Sequence, residues 1–132
     1  MANYKQFDCE TAYQKIMERL GGRSIPEDYK QGLDNLKEAG SEYVVHMGSI
    51  DVSEVSADVI KQVIGKGGCY FILTTTEQDL DFIWHNTQTN EFEFWGPEDN
   101  IQLGINQINY RINKITGEMN LDKDYEEYDG AD

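Results

Sequence analysis

Gly65-Lys66-Gly67-Gly68 is the one stretch of this chain that could do chemistry through its backbone alone. Glycine tolerates positive φ and lets other groups approach closely, so peptide N–H groups in such a turn can be aimed at phosphate oxygens. Lys66 stands at the tip as the single strong cation. The start of a following helix would add the positive end of its dipole. The same tetrad can also be read as nothing more than a tight joint between two helices. Nucleotide hydrolysis is not indicated, because a Walker-type loop follows its Lys with Ser or Thr, whereas Lys66 precedes Gly67 and Gly68.

Other reactive side chains are few. Cys9 and Cys69 are the only cysteines, too few for a disulfide scaffold or a Cys-rich zinc site. His46 and His85 stand at no metal-ligand spacing, so neither a metal nor a cofactor is expected. Cys69 near a helix start could in principle carry a stabilised thiolate, but a small buried Cys is the simpler expectation. Asp79 and Asp81 read as polar residues leading into a strand rather than as an acid–base pair, and His85 as a solvated strand histidine. Trp84 and Trp95 could stack bases, although strand positions commit at least one of them to a core. No catalytic constellation emerges, and the chain is expected not to be an enzyme.

The elements that would position the tetrad follow from patterning. Glu42 to Val52 has strand character, with Gly48 as a candidate bulge. Ser53 or Ser56 can cap a helix running to Ile64, with Val55, Val59, Ile60, Val63 and Ile64 on one face. After the tetrad, Cys69 to Thr76 fits either a strand or a buried helix. Asp81 to His85 and Glu91 to Trp95 form a hairpin across Asn86 to Asn90. Gly96-Pro97-Glu98-Asp99 opens a last helix carrying Ile101, Ile105, Ile108, Ile112 and Ile115 on one side, and Gly117 follows it. Upstream, Ala12, Ile16, Met17 and Leu20 mark a helix stopped by Gly21-Gly22. Ser24-Ile25-Pro26-Glu27-Asp28 starts another, with Tyr29, Leu33 and Leu36 as its stripe and Gly40 at its end. These two helices are expected to pack on the main domain or on a partner.

The chain has 132 residues, enough for one domain with short appendages. Its 39% apolar and 11% aromatic content supports a core despite a mean hydropathy of −0.65. With 25 acidic against 11 basic residues, the net charge is −14. A particle of that sign is repelled by polyanions and by anionic membranes. The charge is uneven, however: residues 1–41 carry −1, residues 42–115 carry −7 and residues 116–132 carry −6. Beyond a Debye length of about 8–10 Å the tail is screened, so the field near Lys66 matters more than the sum. No apolar run is long enough to span a membrane, and the first residues lack the apolar block of a signal peptide. An intracellular location, cytoplasmic or nuclear, is therefore expected.

Val63-Ile64-Gly65-Lys66-Gly67-Gly68 resembles the Gly-x-x-Gly signature of the K-homology (KH) domain, which binds single-stranded nucleic acid. Phe71, Phe82 and Trp84 stand where that family places apolar residues after the loop. Phe94-Trp95-Gly96-Pro97-Glu98-Asp99-Asn100-Ile101 resembles its third strand, turn and last helix, with Gly104 and Ile105 at a usual small-then-aliphatic pair. The resemblance covers Tyr43 to Ile115. It departs from the family in the β-branched segment after the loop and in its few basic residues. It implies an α/β (α+β) fold of order β-α-α-β-β-α, with a three-stranded sheet carrying three helices on one face. The domain would span 42–116, after a helical extension at 1–41 and before an acidic, disordered tail at 117–132.

By the same resemblance, Gly65, Lys66, Gly67 and Gly68 would clamp phosphates. Ile64, Tyr70 and Ile83 would line a groove for unpaired bases, and Lys61 with Lys66 would form the cationic strip that RNA requires. The implied function is binding of single-stranded RNA, ahead of DNA. The alternative is a non-enzymatic interaction or structural module that holds a protein partner through the N-terminal helices or the acidic tail. The Asn-, Ile- and Tyr-rich style is similar to that of short proteins of large DNA viruses, where such a fold would serve as a virion or assembly component.

Overall fold

The computed structural model describes residues 4–21, 27–38 and 43–128. In chain order the elements are β1 (Lys5–Asp8), α1 (Cys9–Leu20), α2 (Glu27–Glu38), β2 (Val44–Asp51), α3 (Ala57–Ile64), α4 (Cys69–Glu77), β3 (Phe82–Asn86), β4 (Glu91–Gly96) and α5 (Glu98–Tyr128). A single 3₁₀ turn, Lys66–Gly68, joins α3 to α4. Gly22, Ser24-Ile25-Pro26 and Gly40, expected to punctuate the first two helices, lie outside the described residues.

The fold is mixed α/β around one antiparallel sheet of four strands, ordered β1-β2-β4-β3. The expected sheet had three strands and the expected N-terminal segment was all helix; both expectations are corrected by β1. Its sequence, Lys-Gln-Phe-Asp, has no apolar alternation of its own, and its pairing with β2 makes it a strand, Lys5 opposite Met47 through Asp8 opposite Val44. Phe7 then stacks on Trp95 with ring centroids 5.3 Å apart. Gly48 is not a bulge, since β2 pairs with β4 without interruption from His46 to Asp51. A side chain there would come within 2.9 Å of the Tyr4 ring and the Ile101 methyl, so glycine is required by what covers it.

Helices cover both faces of the sheet. On one face α3, α4 and α5 bury Val59, Val63, Phe71, Ile101 and Ile108 against Ile83, Phe92 and Phe94. On the other, α1 and α2 bury Ala12, Ile16, Leu20, Leu33 and Leu36 against Val45, Met47, Phe82 and Trp95. The alternation of β4 decides this: Phe92 and Phe94 point one way and Trp95 the other. Each large apolar side chain so buried contributes roughly 1.5–3 kcal/mol. The stripes of α1 and α2 are thus engaged by the chain's own sheet rather than left for a partner.

The helix ends have identifiable causes. Asp8 caps α1 by accepting the Thr11 amide at 2.7 Å, and Gly21 closes it at φ +57. Ser56, not Ser53, caps α3, accepting the Val59 amide at 3.3 Å. The ambiguous segment after the loop is helix α4. It packs Phe71 edge-on against Phe92 at 5.0 Å, and Thr75 returns its hydroxyl to the Phe71 carbonyl at 2.7 Å. Thus β-branched residues are accommodated in a helix because tertiary contacts outweigh propensity. The last helix also differs from expectation: α5 continues through Gly117 to Tyr128. A glycine with open space around it costs a helix about 1 kcal/mol without ending it. Among the described residues, no helix is long and apolar enough to cross a membrane.

Candidate nucleic-acid interface

The loop between α3 and α4 is built from three residues at positive φ, Gly65 (+82), Gly67 (+65) and Gly68 (+78). Gly65 has ψ 164, a combination essentially confined to glycine. A Cβ there would also lie 2.5 Å from the Tyr70 ring and 2.6 Å from the Cys69 sulfur. Its amide ends α3 on the Lys61 carbonyl at 2.9 Å, and its carbonyl takes the Gly68 amide at 3.0 Å. Gly67 and Gly68 face open space, with nothing within 4 Å of the Cβ position. A ligand can therefore come directly against their backbone.

Opposite the loop runs β3, an edge strand of the sheet. The two border one cleft of about 590 Å³. Ile64, Gly67, Gly68 and Phe71 form one wall, and residues 83–88 of β3 and its turn form the other. The end of α1 (Glu18, Arg19, Leu20) and Tyr29 of α2 close it. Tyr29 donates its hydroxyl to the Ile83 carbonyl at 3.2 Å, tying α2 to β3.

The eight residues expected at the site do not all meet. Ile64, Gly67, Gly68 and Ile83 line the cleft, with Ile83 buried as floor. Gly65 sets the turn, and Lys61 and Lys66 are exposed beside it. Cys69, expected to be buried, is exposed at the start of α4, and Tyr70 does not line the cleft. Its ring lies under the Arg111 guanidinium at 3.3 Å, and Arg111 in turn reaches the Gln62 carbonyl at 3.1 Å. A cation over an aromatic face holds Tyr70 toward α5 instead.

The cleft also holds residues that patterning did not single out. Arg19 donates Nε–H to Glu93 Oε1 at 2.9 Å and Nη2–H to Oε2 at 3.2 Å. Glu93 is 3% exposed and accepts Asn86 Nδ2–H at 3.2 Å. The hydrogen bonds that Arg19 donates to Glu93 push its pKa further up, so this cation stays charged. Alternation along β4 puts Glu93 opposite Phe92 and Phe94, a pattern that reads as a solvent-facing acid. Only the arrival of α1 buries it. His85, expected to be solvated, instead lies edge-on to Phe92 at 5.2 Å and shares a hydrogen bond of 3.0 Å with Asn90. Trp84 lines the cleft with its ring stacked on Phe82 at 5.7 Å, whereas Trp95 is wholly buried.

A second polar cluster sits in the α1/α2 layer. Tyr43 donates to Asp81 at 3.2 Å, and Cys9 donates its thiol to the Tyr43 carbonyl at 3.3 Å. Burial pushes the Asp81 carboxyl up to about 6, against the hydrogen bond from Tyr43. Burial and the nearby Asp81 charge push the Cys9 thiol and the Tyr43 phenol up as well, which makes both poor nucleophiles at neutral pH. This cluster ties the start of β2 to the start of β3. Compared with protein-family models, with curated proteins and with solved structures, the chain matches none.

Proposed function

We propose that this chain binds single-stranded nucleic acid, RNA ahead of DNA, as a divergent KH domain. The observation that carries the reading is the shared cleft: the glycine loop and the edge strand β3 face each other across a space with open backbone on one side. From β2 to α5 the order is β-α-α-β-β-α, and the loop joins the first two of those helices. In this reading phosphates lie against the amides of Gly67 and Gly68, with Lys66 and Lys61 beside them, and bases enter toward β3. The role is one of binding, with no bond made or broken.

The test is a titration of fluorescently labelled homopolymeric RNA and DNA single strands at low and moderate salt, followed by anisotropy. The wild type is compared with the double variant Lys66→Asp, Gly67→Asp. Saturable binding that weakens with salt and vanishes in the variant is the expected result. Absence of binding at every salt concentration overturns the reading. A second reading, a non-enzymatic protein-interaction module, draws on Leu73, Leu103 and Tyr110, which are 46%, 50% and 69% exposed on α4 and α5, outside the cleft. It is the one left standing if no nucleic acid binds.

A further inference from the structure

Among the described residues that line the cleft, Arg19 is the only Lys or Arg, and it comes from α1, outside the β-α-α-β-β-α unit. Its hydrogen bonds leave a defined remainder. Nε–H and one Nη2–H go to Glu93, which is the side edge of the guanidinium. One Nη1 hydrogen and the second Nη2 hydrogen form the end edge, a parallel fork of donors, and the other Nη1 hydrogen points back along the Cδ side. The side chain is 27% exposed, so it is partly open to solvent.

What orients it is buried and itself held. Glu93 accepts from Asn86 as well as from Arg19, and the Asn86 side-chain Oδ1 accepts the amides of Gln88 at 3.0 Å and Thr89 at 3.3 Å. The turn thus fixes Asn86, Asn86 and Arg19 fix Glu93, and Glu93 fixes the guanidinium. With its charge balanced by a buried carboxylate, Arg19 adds little net attraction for phosphate. A rigid pair of donors where α1 closes the cleft, beside β3, is instead suited to reading the edge of a base.

We infer that Arg19 is a specificity-determining residue that selects guanine in the cleft, with Glu93 and Asn86 as its positioning residues. Guanine offers two neighbouring acceptors, O6 and N7, to such a fork, whereas adenine sets a donor beside its acceptor and uracil sets an N–H beside each carbonyl; cytosine also has two neighbouring acceptors, N3 and O2, but on a smaller ring that stacks less strongly than a purine. The inference rests on the nucleic-acid reading of the cleft, and the experiment separates the two.

Labelled oligouridine RNAs with a single central G, A, C or U are titrated against wild type, Arg19→Lys, Glu93→Gln and the double variant Arg19→Met, Glu93→Gln. The double variant removes the guanidinium without stranding a buried carboxylate, and circular dichroism checks each fold. The G oligomer should bind the wild type about fivefold or more tighter than the A oligomer. Arg19→Lys and the double variant should lose that preference yet retain binding, and Glu93→Gln should reduce it. Equal binding of all four, a preference for C, or a G preference that survives loss of Arg19 overturns the inference. In those cases loop-dependent binding still supports the broader reading. Failure of every oligomer to bind the wild type overturns both.

Discussion

The Tyr43 hydroxyl donates to the Asp81 carboxylate at 3.2 Å, across 38 positions of sequence, and this pair joins the start of β2 to the start of β3 inside the α1/α2 layer. The pair is part-buried, and Asp81 is only 9% exposed. A carboxylate in this setting keeps its proton to higher pH than an exposed one, and its folded value is about 6. The folded state therefore binds this proton more tightly than the unfolded chain, whose carboxyl titrates near the ordinary value of about 3.9.

The Asp81 contribution to stability is lost as pH rises from about 4 through 6 and is fully adverse above that. Asp81→Asn keeps an acceptor for Tyr43 and removes the buried charge. It should raise stability at pH 8 by roughly 1–2 kcal/mol and change it little at pH 4. Urea unfolding at both pH values measures this. Equal effects at the two would contradict the assignment.

Gly65→Ala and Gly67→Ala should differ sharply, although the two residues lie in one loop. At Gly65 a methyl meets the Tyr70 ring and the Cys69 sulfur in a backbone conformation that only glycine adopts readily, and a loss of about 3 kcal/mol or more is expected. At Gly67 the space is open and only the left-handed backbone opposes the substitution, at about 1 kcal/mol. Thermal melts of the two variants provide the comparison.

Gly48→Val should release β1. The new side chain collides with Tyr4, just before β1, and with Ile101 of α5. Amide hydrogen exchange at Lys5 to Asp8 should accelerate more than exchange at Phe82 to Asn86, because β3 pairs with β4 alone. Uniform acceleration would mean that β1 is not a separable edge.

Ser56→Ala should cost about 1 kcal/mol, and Ser53→Ala should cost little. The Ser56 hydroxyl accepts the Val59 amide, whereas Ser53 contributes its own amide to Asp51 at 2.8 Å. Chemical denaturation of both single variants distinguishes the cap from its near neighbour.

Local patterning made much of the fold readable. The Ile101 to Ile115 stripe, the α3 stripe ending in Ile64, the hairpin around Asn86 to Asn90 and the stripes of α1 and α2 all form as their periodicity indicates. The loop glycines were legible too, since all three have positive φ and the open faces of two border the cleft. β1 was not, because Lys-Gln-Phe-Asp becomes a strand only by pairing with residues 44–47. Nor was the identity of α4 readable from its β-branched residues alone.

By itself, then, the sequence determined which segments are amphipathic, where the backbone must turn through glycine, and how the negative charge is distributed. These properties belong to single residues and near neighbours, where spacing and conformational preference suffice. Only the tertiary structure decided that α1 and α2 cover the second face of the sheet, that Tyr70 is held by Arg111, and that Arg19 meets Glu93. Arg19 and Glu93 are 74 residues apart, and each reads as an ordinary surface charge in its own segment. Docking α1 on the sheet excludes water from Glu93, and an acid so enclosed must find a cation or give up its charge. The cleft owes its loop wall to local sequence, and its oriented guanidinium to packing.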